Sequence, residues 1–338
     1  MKTSTIVAVI LLMFGAGQPD LVRSEPKYKT FNVSTPGGLV DAAKYAQFGD
    51  SIEIQKGKKL DLKNTSLNIR GGVNIYGGGG INGENGALLM VSPSYKSKLF
   101  NIMGSKVRIY GLRIQGPNSG TSKKPESTGI DTDNADNLLV ENCDIFGWSY
   151  AGIALKSARD VKILNNHIHH NRSTGLGYGI VVVKNTNALI DHNHFDNNRH
   201  SIAGSEPTAS YEASNNIVGD VGSDTEHSFD MHGTGTNHNG GTAGHTVLIH
   251  HNTFYGTLHS AVGIRGKPIN RAEIYENKFR GEKPTDYFVK LTSGNCATPR
   301  PTVYQCGTSG HFCVRDNTYK GIKVNGNEYG CRVTGRGD

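Results

Sequence analysis

The sequence predicts an all-β, single-domain parallel β-helix, and three observations lead to this prediction. First, one motif recurs along the chain: an apolar residue, two variable residues, Asn, one variable residue, and an apolar or aromatic residue. Its copies with Asn are residues 163–168, 190–195, 213–218, 249–254, 274–279 and 314–319. Second, the copies are spaced mostly by twenty to forty residues, which is typical of a solenoid. Third, the motifs are rich in β-branched residues, and 44 Gly among 338 residues suit many tight turns between short strands.

The Asn position of the motif, which we call the ladder position, should stack from coil to coil. Two earlier copies, residues 109–114 and 140–145, place Leu112 and Cys143 there. The eight ladder positions are separated by 31, 23, 27, 23, 36, 25 and 40 residues. Asn side chains stack well, because each amide can hydrogen-bond the amides above and below it. We therefore expect a buried column of amides, with Cys143 as a buried free thiol that packs like a small hydrophobe.

The N-terminal part of the chain differs from the repeats. Residues 1–24 have the features of a signal peptide, with Lys2 ahead of an apolar stretch at residues 6–14 and small residues after it. Residues 25–338 then form the β-helix domain. The stretch from Gly38 to Ala46 has helical spacing. It predicts a short N-terminal helix that covers the open end of the solenoid.

The C-terminal part is rich in cysteine. Four of the five cysteines are Cys296, Cys306, Cys313 and Cys331. In a secreted chain this cluster predicts two disulfides, with three pairings open, that pin the C-terminal segment. A zinc site is the alternative, but the C-x-x-C pairs expected of one are absent. We interpret residues 294–310 as an insertion or cover that interrupts the last coils.

The net charge narrows the choice of partner. A charge of +7 and a pI near 9.0 suit a protein that binds an acidic polysaccharide, because positive potential concentrates polyanions. A mildly basic secreted protein without such a partner is the alternative. We expect no nucleic acid, since no basic run is interleaved with aromatics. We expect no membrane anchor either, since the N-terminal stretch is too short to span a bilayer. The sequence therefore predicts an extracellular monomer.

A second strand recurs upstream of each motif and carries polar residues. Its markers are Gly129-Ile130, Gly152-Ile153, Gly179-Ile180, Ser201-Ile202, Ser228-Phe229 and Gly263-Ile264. If the strands are aligned on the second, inward residue of each pair, the residues one and three later point outward. The first outward position holds Ala154, Val181, Ala203, Asp230 and Arg265, and the next holds Lys156, Val183, Ser205, His232 and Lys267. The charged side chains concentrate on two neighbouring coils.

These outward residues suggest the β-elimination of a uronate polysaccharide. That reaction needs a cation beside the substrate carboxylate, a base for the neighbouring proton and an acid at the leaving oxygen. We expect Arg265 to neutralise the carboxylate and His232 to transfer the proton, with Asp230 orienting His232 or pairing with Arg265. The remaining catalytic candidates are His200 and Tyr178, with Tyr178 or Tyr211 as proton donor. The substrate-binding candidates are Lys267, Arg199, Tyr211 and Glu212.

Structural alternatives exist for the same residues. His200 and His227 occupy the position two residues before the inward apolar residue, where Tyr178 stands one coil earlier. Strict alternation would point these rings inward as a stacked ladder. Asp230 and Arg265 could form a plain surface salt bridge between coils.

Other functions are also open. A glycoside hydrolase would need paired carboxylates, for which Asp230 with Glu212 or Glu226 are the candidates. A uronate epimerase and a non-catalytic glycan-binding protein are further alternatives on the same scaffold.

Several segments resemble a known superfamily. Residues 199–203, 210–213, 227–233, 249–254 and 263–268 are similar to secreted right-handed parallel β-helix repeat proteins, which include pectate-lyase-like enzymes, alginate-lyase-like enzymes and mannuronan epimerases. The resemblance implies a right-handed coil and an acidic polysaccharide as substrate. In pectate-lyase-like enzymes an Arg acts as base beside Ca²⁺ held by Asp residues. Residues 265–271 are similar to that Arg-rich segment, which implies Arg265 as base and Ca²⁺ as a possible cofactor. The chain has neither the matching acidic cluster nor an epimerase-type Asp-Pro-His-Glu segment.

Overall fold

The computed structural model describes residues 28–79, 86–117, 126–220, 227–256, 260–281, 289–291, 302–306, 311–323 and 331. Its elements in chain order are β1 (Thr30–Val33), α1 (Pro36–Tyr45), β2 (Ser51–Ile54), β3 (Lys59–Asp61), β4 (Leu67–Ile69), β5 (Asn74–Tyr76), β6 (Ala87–Met90), β7 (Lys98–Ile102), β8 (Arg108–Tyr110), β9 (Leu112–Gln115), β10 (Thr128–Thr132), β11 (Leu139–Glu141), β12 (Asp144–Phe146), β13 (Ala151–Lys156), β14 (Val161–Leu164), β15 (His167–His169), β16 (Tyr178–Val183), β17 (Asn187–Asp191), β18 (His194–Asp196), β19 (His200–Gly204), β20 (Ser210–Ser214), β21 (Ile217–Val218), β22 (His227–Met231), β23 (Thr246–His250), β24 (Thr253–Phe254), β25 (Ser260–Ile264), β26 (Arg271–Tyr275), β27 (Lys278–Phe279), β28 (Val289–Leu291), β29 (Val303–Gln305), β30 (Phe312–Arg315), β31 (Thr318–Tyr319) and β32 (Ile322–Lys323). A 3-10 turn spans Thr236–His238. The predicted signal peptide lies outside the described residues.

The strands form three sheets, and successive strands enter different sheets. Sheet I has the order β1-β2-β5-β8-β11-β14-β17-β20-β23-β26-β30. Sheet II has the order β3-β6-β9-β12-β15-β18-β21-β24-β27-β31-β32, and sheet III the order β28-β29-β25-β22-β19-β16-β13-β10-β7-β4. Among the described strands the pairings are parallel except that of β31 with β32. The chain therefore winds through the three sheets in turn, which confirms the predicted parallel β-helix.

The apolar column of sheet I shows why the coils stack. Ile109, Val140, Ile163, Ile190 and Ala213 are paired in register across β8, β11, β14, β17 and β20 and are fully buried. Side chains alternate between the two faces of a strand, so a one-residue shift in the pairing of a strand would move its apolar side chains from the core to the solvent-facing side. Each buried Ile contributes about 1.5–3 kcal/mol, which makes such a slip costly.

The predicted amide ladder is confirmed. Its members are Asn166, Asn193, Asn216, Asn252, Asn277 and Asn317. In the first five, Nδ2 donates to Oδ1 of the next Asn at 2.9–3.1 Å, and the backbone N–H donates to the same oxygen. Asn317, the last, donates to the carbonyls of Ile274 and Arg315. Cys143 is a buried free thiol at the head of this column, as predicted, and burial raises the pKa of Cys143 to about 12.

The turn before the ladder position explains its sharp corner. The preceding residue has φ between 53° and 58° in each copy from Asn142 onward. These residues are Asn142, Asn165, His192, Asn215, His251, Glu276 and Asp316. One left-handed residue redirects the chain from sheet I to sheet II and points the following side chain inward, and Asn tolerates this conformation better than most residues.

A second, shorter ladder lies at the corner between sheets II and III, where the sequence analysis did not predict one. Asn171 Nδ2 donates to Asn198 Oδ1 at 2.8 Å, and the backbone N–H of Trp148 donates to Asn171 Oδ1 at 2.9 Å. Asn198 Nδ2 in turn donates to the carbonyl of Ile168 at 2.8 Å. This corner fixes the entry of the chain into β16 and β19.

The N-terminal cap has the predicted form. The side chain of Thr35 accepts a hydrogen bond from the Gly38 N–H at 3.1 Å and caps α1. Leu39 and Ala42 are buried, so α1 covers the end of the coil stack. No helix within the described ranges is long and apolar enough to cross a membrane.

The C-terminal prediction is confirmed in part. Cys313 and Cys331 form a disulfide, and Cys306 is also disulfide-bonded, whereas Cys296 lies outside the described residues. The interpretation of residues 294–310 as an interruption of the coils is wrong for Val303–Gln305. These residues form β29, which pairs with β25 and continues sheet III.

Candidate functional site

The register of β22 and β25 differs from the predicted one. Phe229 pairs with Val262, and Met231 pairs with Ile264, whereas the sequence alignment placed Ile264 beside Phe229. That alignment is wrong by two residues. A two-residue slip keeps every apolar side chain on the inner face, so a period of two cannot detect it.

The corrected register brings the predicted site residues closer together. His232 and Arg265 directly follow the paired residues Met231 and Ile264, and they extend from neighbouring coils toward one carboxylate, that of Asp230. Arg265 donates from Nε to Oδ1 at 2.9 Å and from Nη2 to Oδ2 at 2.7 Å. His232 Nε2 lies 2.6 Å from Oδ2.

Asp230 is a buried organising residue. Its side chain is 0% exposed, so the interpretation of Asp230 and Arg265 as a surface salt bridge is wrong. His227 adds a fourth contact, with Nε2 2.9 Å from Oδ2. Burial alone would raise the pKa of Asp230, but the charges of His227, His232 and Arg265 hold it well below its usual value. The carboxylate is therefore ionised and fixes the orientation of the guanidinium and the imidazoles around it.

The aromatic stack beside Asp230 faces outward. The rings of Tyr178 and His200 are 5.6 Å apart, and those of His200 and His227 are 4.6 Å apart. The stack was predicted as an alternative, but its predicted inward direction is wrong. Tyr178 packs with Val181 in a cluster separate from the core. Two consecutive residues, Gly179 and Ile180, face the core: a Cβ atom on Gly179 would lie 3.3 Å from Ile168, and Ile180 is itself a core residue. This break in the alternation turns Tyr178 outward.

His200 is held neutral within this stack. Its side chain is buried, and Nδ1 donates to the carbonyl of His227 at 2.6 Å. Burial lowers the pKa of His200 well below 6.5. His200 therefore does not titrate near neutrality, and its geometry is that of a positioning residue. Tyr178 also has a pKa raised by burial, so its hydroxyl stays protonated.

Two further residues complete the site, and the sequence analysis did not predict either. The hydroxyl of Tyr304 lies 2.9 Å from Nδ1 of His227, and its ring covers Gly263, where a Cβ atom would lie 2.6 Å from that ring. His238 comes from the irregular loop after β22, and its ring lies 4.8 Å from that of His232. Tyr304 was assigned to an insertion and His238 lies outside the repeats, so periodicity gave no signal for them.

Two predicted binding residues lie elsewhere. Tyr211 projects from β20 into the core, where it is 2% exposed, and Glu212 lies on the outer face of sheet I beside His250 at 3.1 Å. The predicted placement of Glu212 at the sheet III site is therefore wrong. Tyr211 reaches toward Asp230 from inside the core, and the charge of Asp230 adds to burial in raising the pKa of its hydroxyl. β20 belongs to sheet I. The motif around Tyr211 does not predict which side chains of sheet I lie near sheet III.

The other binding candidates stay near sheet III. The guanidinium of Arg199 lies 5.8 Å from the ring centre of Tyr178. Lys267 is partly exposed just beyond β25, where its backbone forms a bridge to Thr242. Glu226, the other carboxylate considered for hydrolysis, lies outside the described residues.

The outer face of sheet III is an apolar strip between charged ends. Ala154, Val181 and Ala203 are in register across β13, β16 and β19 and form its floor. Asp131 occupies the same column beyond them and pairs with Lys98 at 2.5 Å. With strands about 4.8 Å apart, Asp131 lies four strands, or about 19 Å, from Asp230. The floor residues Ala154, Val181 and Ala203 are buried, at 7%, 5% and 4% exposure.

The residues of this site do not fit Ca²⁺. Ca²⁺ takes six to eight oxygen ligands. Within the described part of the site the carboxylate is that of Asp230, and both of its oxygens are engaged by Arg265 and imidazoles. The group His200, His227 and Asp230 could offer one ligand atom each to a metal, but two of the three are imidazoles, which suit transition metals instead.

The chain belongs to the right-handed β-helix family. The family model, described as the right-handed beta helix region, matches residues 50–218, half of the chain. The predicted right-handed coil and the predicted superfamily are thereby confirmed. No curated protein matches the chain in sequence.

Solved structures share the fold. An alginate lyase from Paenibacillus sp. str. FPU-7 is 17% identical with a TM-score of 0.53, and the match covers 84% of this chain and 99% of that one. ORF18 of Geobacillus virus E2 is 13% identical with a TM-score of 0.57, covering 85% and 61%. A family 28 exopolygalacturonase from Yersinia enterocolitica is 12% identical with a TM-score of 0.50, covering 86% and 71%. At these identities the similarity establishes the fold alone.

Proposed function

We propose that the protein is a secreted lyase that cleaves an acidic, uronate-containing polysaccharide by β-elimination. The observation that carries the proposal is that one buried carboxylate, Asp230, holds a guanidinium and an imidazole side by side at the end of an apolar strip. These are the two groups that the reaction needs beside the substrate carboxylate. The Cys313–Cys331 disulfide and the net charge of +7 support secretion and a polyanionic substrate.

We propose a direction for the proton transfer from the side-chain geometry. Because Nε2 of His232 faces the Asp230 carboxylate at 2.6 Å, we propose that Nδ1 is the ring nitrogen turned toward the substrate. In the proposed reaction Nδ1 takes the proton beside the substrate carboxylate. The electron pair of that C–H bond forms the new double bond as the bond to the leaving oxygen breaks. Arg265 stabilises the negative charge that develops on the carboxylate.

Tyr178 is the proposed proton donor to the leaving oxygen. Its hydroxyl is close enough to the site for the charges of Asp230 and Arg265 to act on it, and burial keeps it protonated. The resemblance to pectate-lyase-like enzymes favours the opposite assignment, with Arg265 as base. The bidentate pairing with Asp230 stabilises the protonated guanidinium and therefore supports Arg265 as the charge stabiliser.

Hydrolysis is less well supported. A glycoside hydrolase uses two carboxyl groups about 5–9.5 Å apart. In the described part of sheet III the nearest carboxylate in the column of Asp230 is that of Asp131, about 19 Å away and paired with Lys98. Asp133 lies close enough to Asp131 to raise its pKa, but it pairs with Lys156 and is equally far from Arg265 and His232.

The test is a substrate screen followed by two variants. Alginate, pectate, glucuronan and glycosaminoglycans are incubated with the protein, and near-ultraviolet absorbance of the unsaturated product is measured together with new reducing ends. We expect both signals, and the variants Arg265→Ala and His232→Ala should lower turnover by about two to four orders of magnitude. His250→Ala, which removes a histidine–carboxylate pair on sheet I, is the matched control and should leave turnover unchanged.

Three outcomes contradict the proposal. Reducing ends without absorbance would indicate a hydrolase. Binding without any product would indicate a glycan-binding protein. Near-normal turnover in a folded Arg265→Ala or His232→Ala variant would show that the residue does not have the assigned role.

A further inference from the structure

We propose that the outer face of sheet II holds a divalent transition-metal ion, with Zn²⁺ as the representative ion, between Asp144, His167 and His169. This metal position is distinct from the sheet III site, since β12 and β15 belong to sheet II. It does not depend on the proposed lyase activity.

Strand register brings the three side chains together. Asp144 on β12 pairs with His167 on β15, and His169 stands two residues further along β15 on the same face. The backbone of two neighbouring coils therefore fixes all three positions. Their side chains are partly exposed, at 17%, 30% and 16% respectively, so an ion can reach them from solvent.

The distances suit one ion. Oδ1 of Asp144 lies 2.8 Å from Nε2 of His169 and 3.7 Å from Nδ1 of His167. Tetrahedral ligands with bonds of about 2.0–2.1 Å are about 3.3 Å apart, and the two observed separations lie on either side of this value. One ligand atom from each residue lies within 4.8 Å of the other two. Small side-chain movements are enough to coordinate an ion.

Neighbouring groups orient these ligands in the way that metal sites require. Arg113 Nε lies 3.4 Å from Oδ2 of Asp144, which leaves Oδ1 directed at the imidazoles. Nδ1 of His169 contacts Nδ1 of His170 at 2.7 Å, so the other nitrogen, Nε2, is the one that faces Asp144. An outer partner on the second ring nitrogen is the usual arrangement around a metal-bound histidine.

His167 provides an independent indication of a ligand. Its Nε2 is buried and has no hydrogen-bond partner among the described residues. Its Nδ1 lies too far from Asp144 for a hydrogen bond, at 3.7 Å. The ring is instead stacked on His194, with centres 4.8 Å apart. Because neither contact is a hydrogen bond within the described part of the chain, the ring can turn to present a nitrogen to a metal without breaking one there.

The donor set defines the class of ion. Two imidazole nitrogens and one carboxylate oxygen suit Zn²⁺, Cu²⁺, Ni²⁺ or Co²⁺, whereas Ca²⁺ and Mg²⁺ prefer oxygen ligands only. Three protein ligands leave one tetrahedral position for water. Because the ligands come from neighbouring coils, a bound ion would join β12 to β15 and stabilise the folded protein by mass action.

The experiment is a calorimetric titration of the untagged, chelator-treated protein with Zn²⁺, and a parallel titration with Co²⁺ followed by visible absorbance. We expect one tight equivalent and a rise in Tm on loading. His169→Gln and Asp144→Asn should each weaken Zn²⁺ binding at least tenfold. The matched control is His192→Gln, because His192 also contacts a carboxylate, Asp191, at 2.6 Å but belongs to no group of three potential ligands among the described residues.

A further variant separates this position from the sheet III site. His227→Gln removes one member of the buried His200, His227 and Asp230 group and should leave the tight equivalent intact. Absence of Zn²⁺ binding at millimolar concentration would overturn the proposal. So would binding that survives in His169→Gln but is lost in His227→Gln, or an equal loss in His192→Gln. Binding is measured without substrate, so failure of the lyase proposal leaves this result unaffected.

Discussion

The amide ladder allows a quantitative test at Asn252. Its side chain makes five hydrogen bonds: Oδ1 accepts from N and Nδ2 of Asn216, and Nδ2 donates to Ala213 O, His250 O and Asn277 Oδ1. All five are between 2.8 and 3.0 Å. Because the two Nδ2 hydrogens are shared among three acceptors, these contacts amount to about four full bonds. At about 0.5–1.5 kcal/mol each, Asn252→Ala should lower the free energy of unfolding by about 2–6 kcal/mol. That is a large part of the total stability of a typical domain.

The assay is urea unfolding followed by far-ultraviolet circular dichroism, with fluorescence of Trp148, the chain's single tryptophan, as a second probe. Asn252→Leu separates the loss of the amide hydrogen bonds from the loss of side-chain volume, because Leu fills the position without an amide, as Leu112 does in the first copy of the motif. We expect Asn252→Leu to be destabilised nearly as much as Asn252→Ala. The control, Asn270→Ala, loses one exposed hydrogen bond and should change stability by less than about 0.5 kcal/mol. Wild-type stability in either Asn252 variant would refute the reasoning that the amide column holds the coils together.

Three other substitutions test the site. Asp230→Asn should lower turnover by about two to four orders of magnitude and stability by about 3–5 kcal/mol, because it leaves a buried guanidinium unpaired; Asp131→Asn, its control in the same column, should change both little. His200→Phe should make stability less sensitive to acid. The pKa of His200 is lowered in the folded protein, so below pH 6.5 only the unfolded chain takes up this proton, and wild-type stability decreases by up to about 1.4 kcal/mol for each unit that the pH is lowered. Equal slopes for wild type and variant in pH-dependent urea melts would contradict this. Gly263→Ala should displace the Tyr304 ring and cost about 1–3 kcal/mol, and an unchanged Tm would show that the ring does not lie over this glycine.

The fold was predictable because its signals repeat. A buried Asn at the same position of successive coils can be recognised in the sequence even where the turns and loops between the copies differ. The confirmed ladder from Asn166 to Asn317 is an example. Cys143 could be placed for the same reason, as a non-Asn occupant of a known position. The capping helix α1 was predictable from local spacing alone.

The site was less predictable because it depends on register and on exceptions to alternation. Inward apolar residues at Phe229 and Met231 look alike to a period-two pattern, so the pairing of Arg265 could be placed only to within two residues. Gly179 breaks the alternation and turns the Tyr178 stack outward. Tyr304 is far from the rest of the site along the chain, and its contact with His227 joins residues 77 positions apart.

The burial of Asp230 links the fold to the proposed chemistry. A carboxylate on an outward strand position would ordinarily be hydrated, and a hydrated Asp would hold a neighbouring imidazole or guanidinium only weakly. Here the next coil has Gly263 at the paired position, and the coil after that has Tyr304, so an aromatic ring can cover the carboxylate where a side chain at residue 263 would have blocked it. With water excluded, the ion pair with Arg265 and the contact with His232 are both strengthened. The missing side chain at Gly263 thus lets Tyr304 of β29 lie over this part of the site, although β29 contributes no proposed reacting atom.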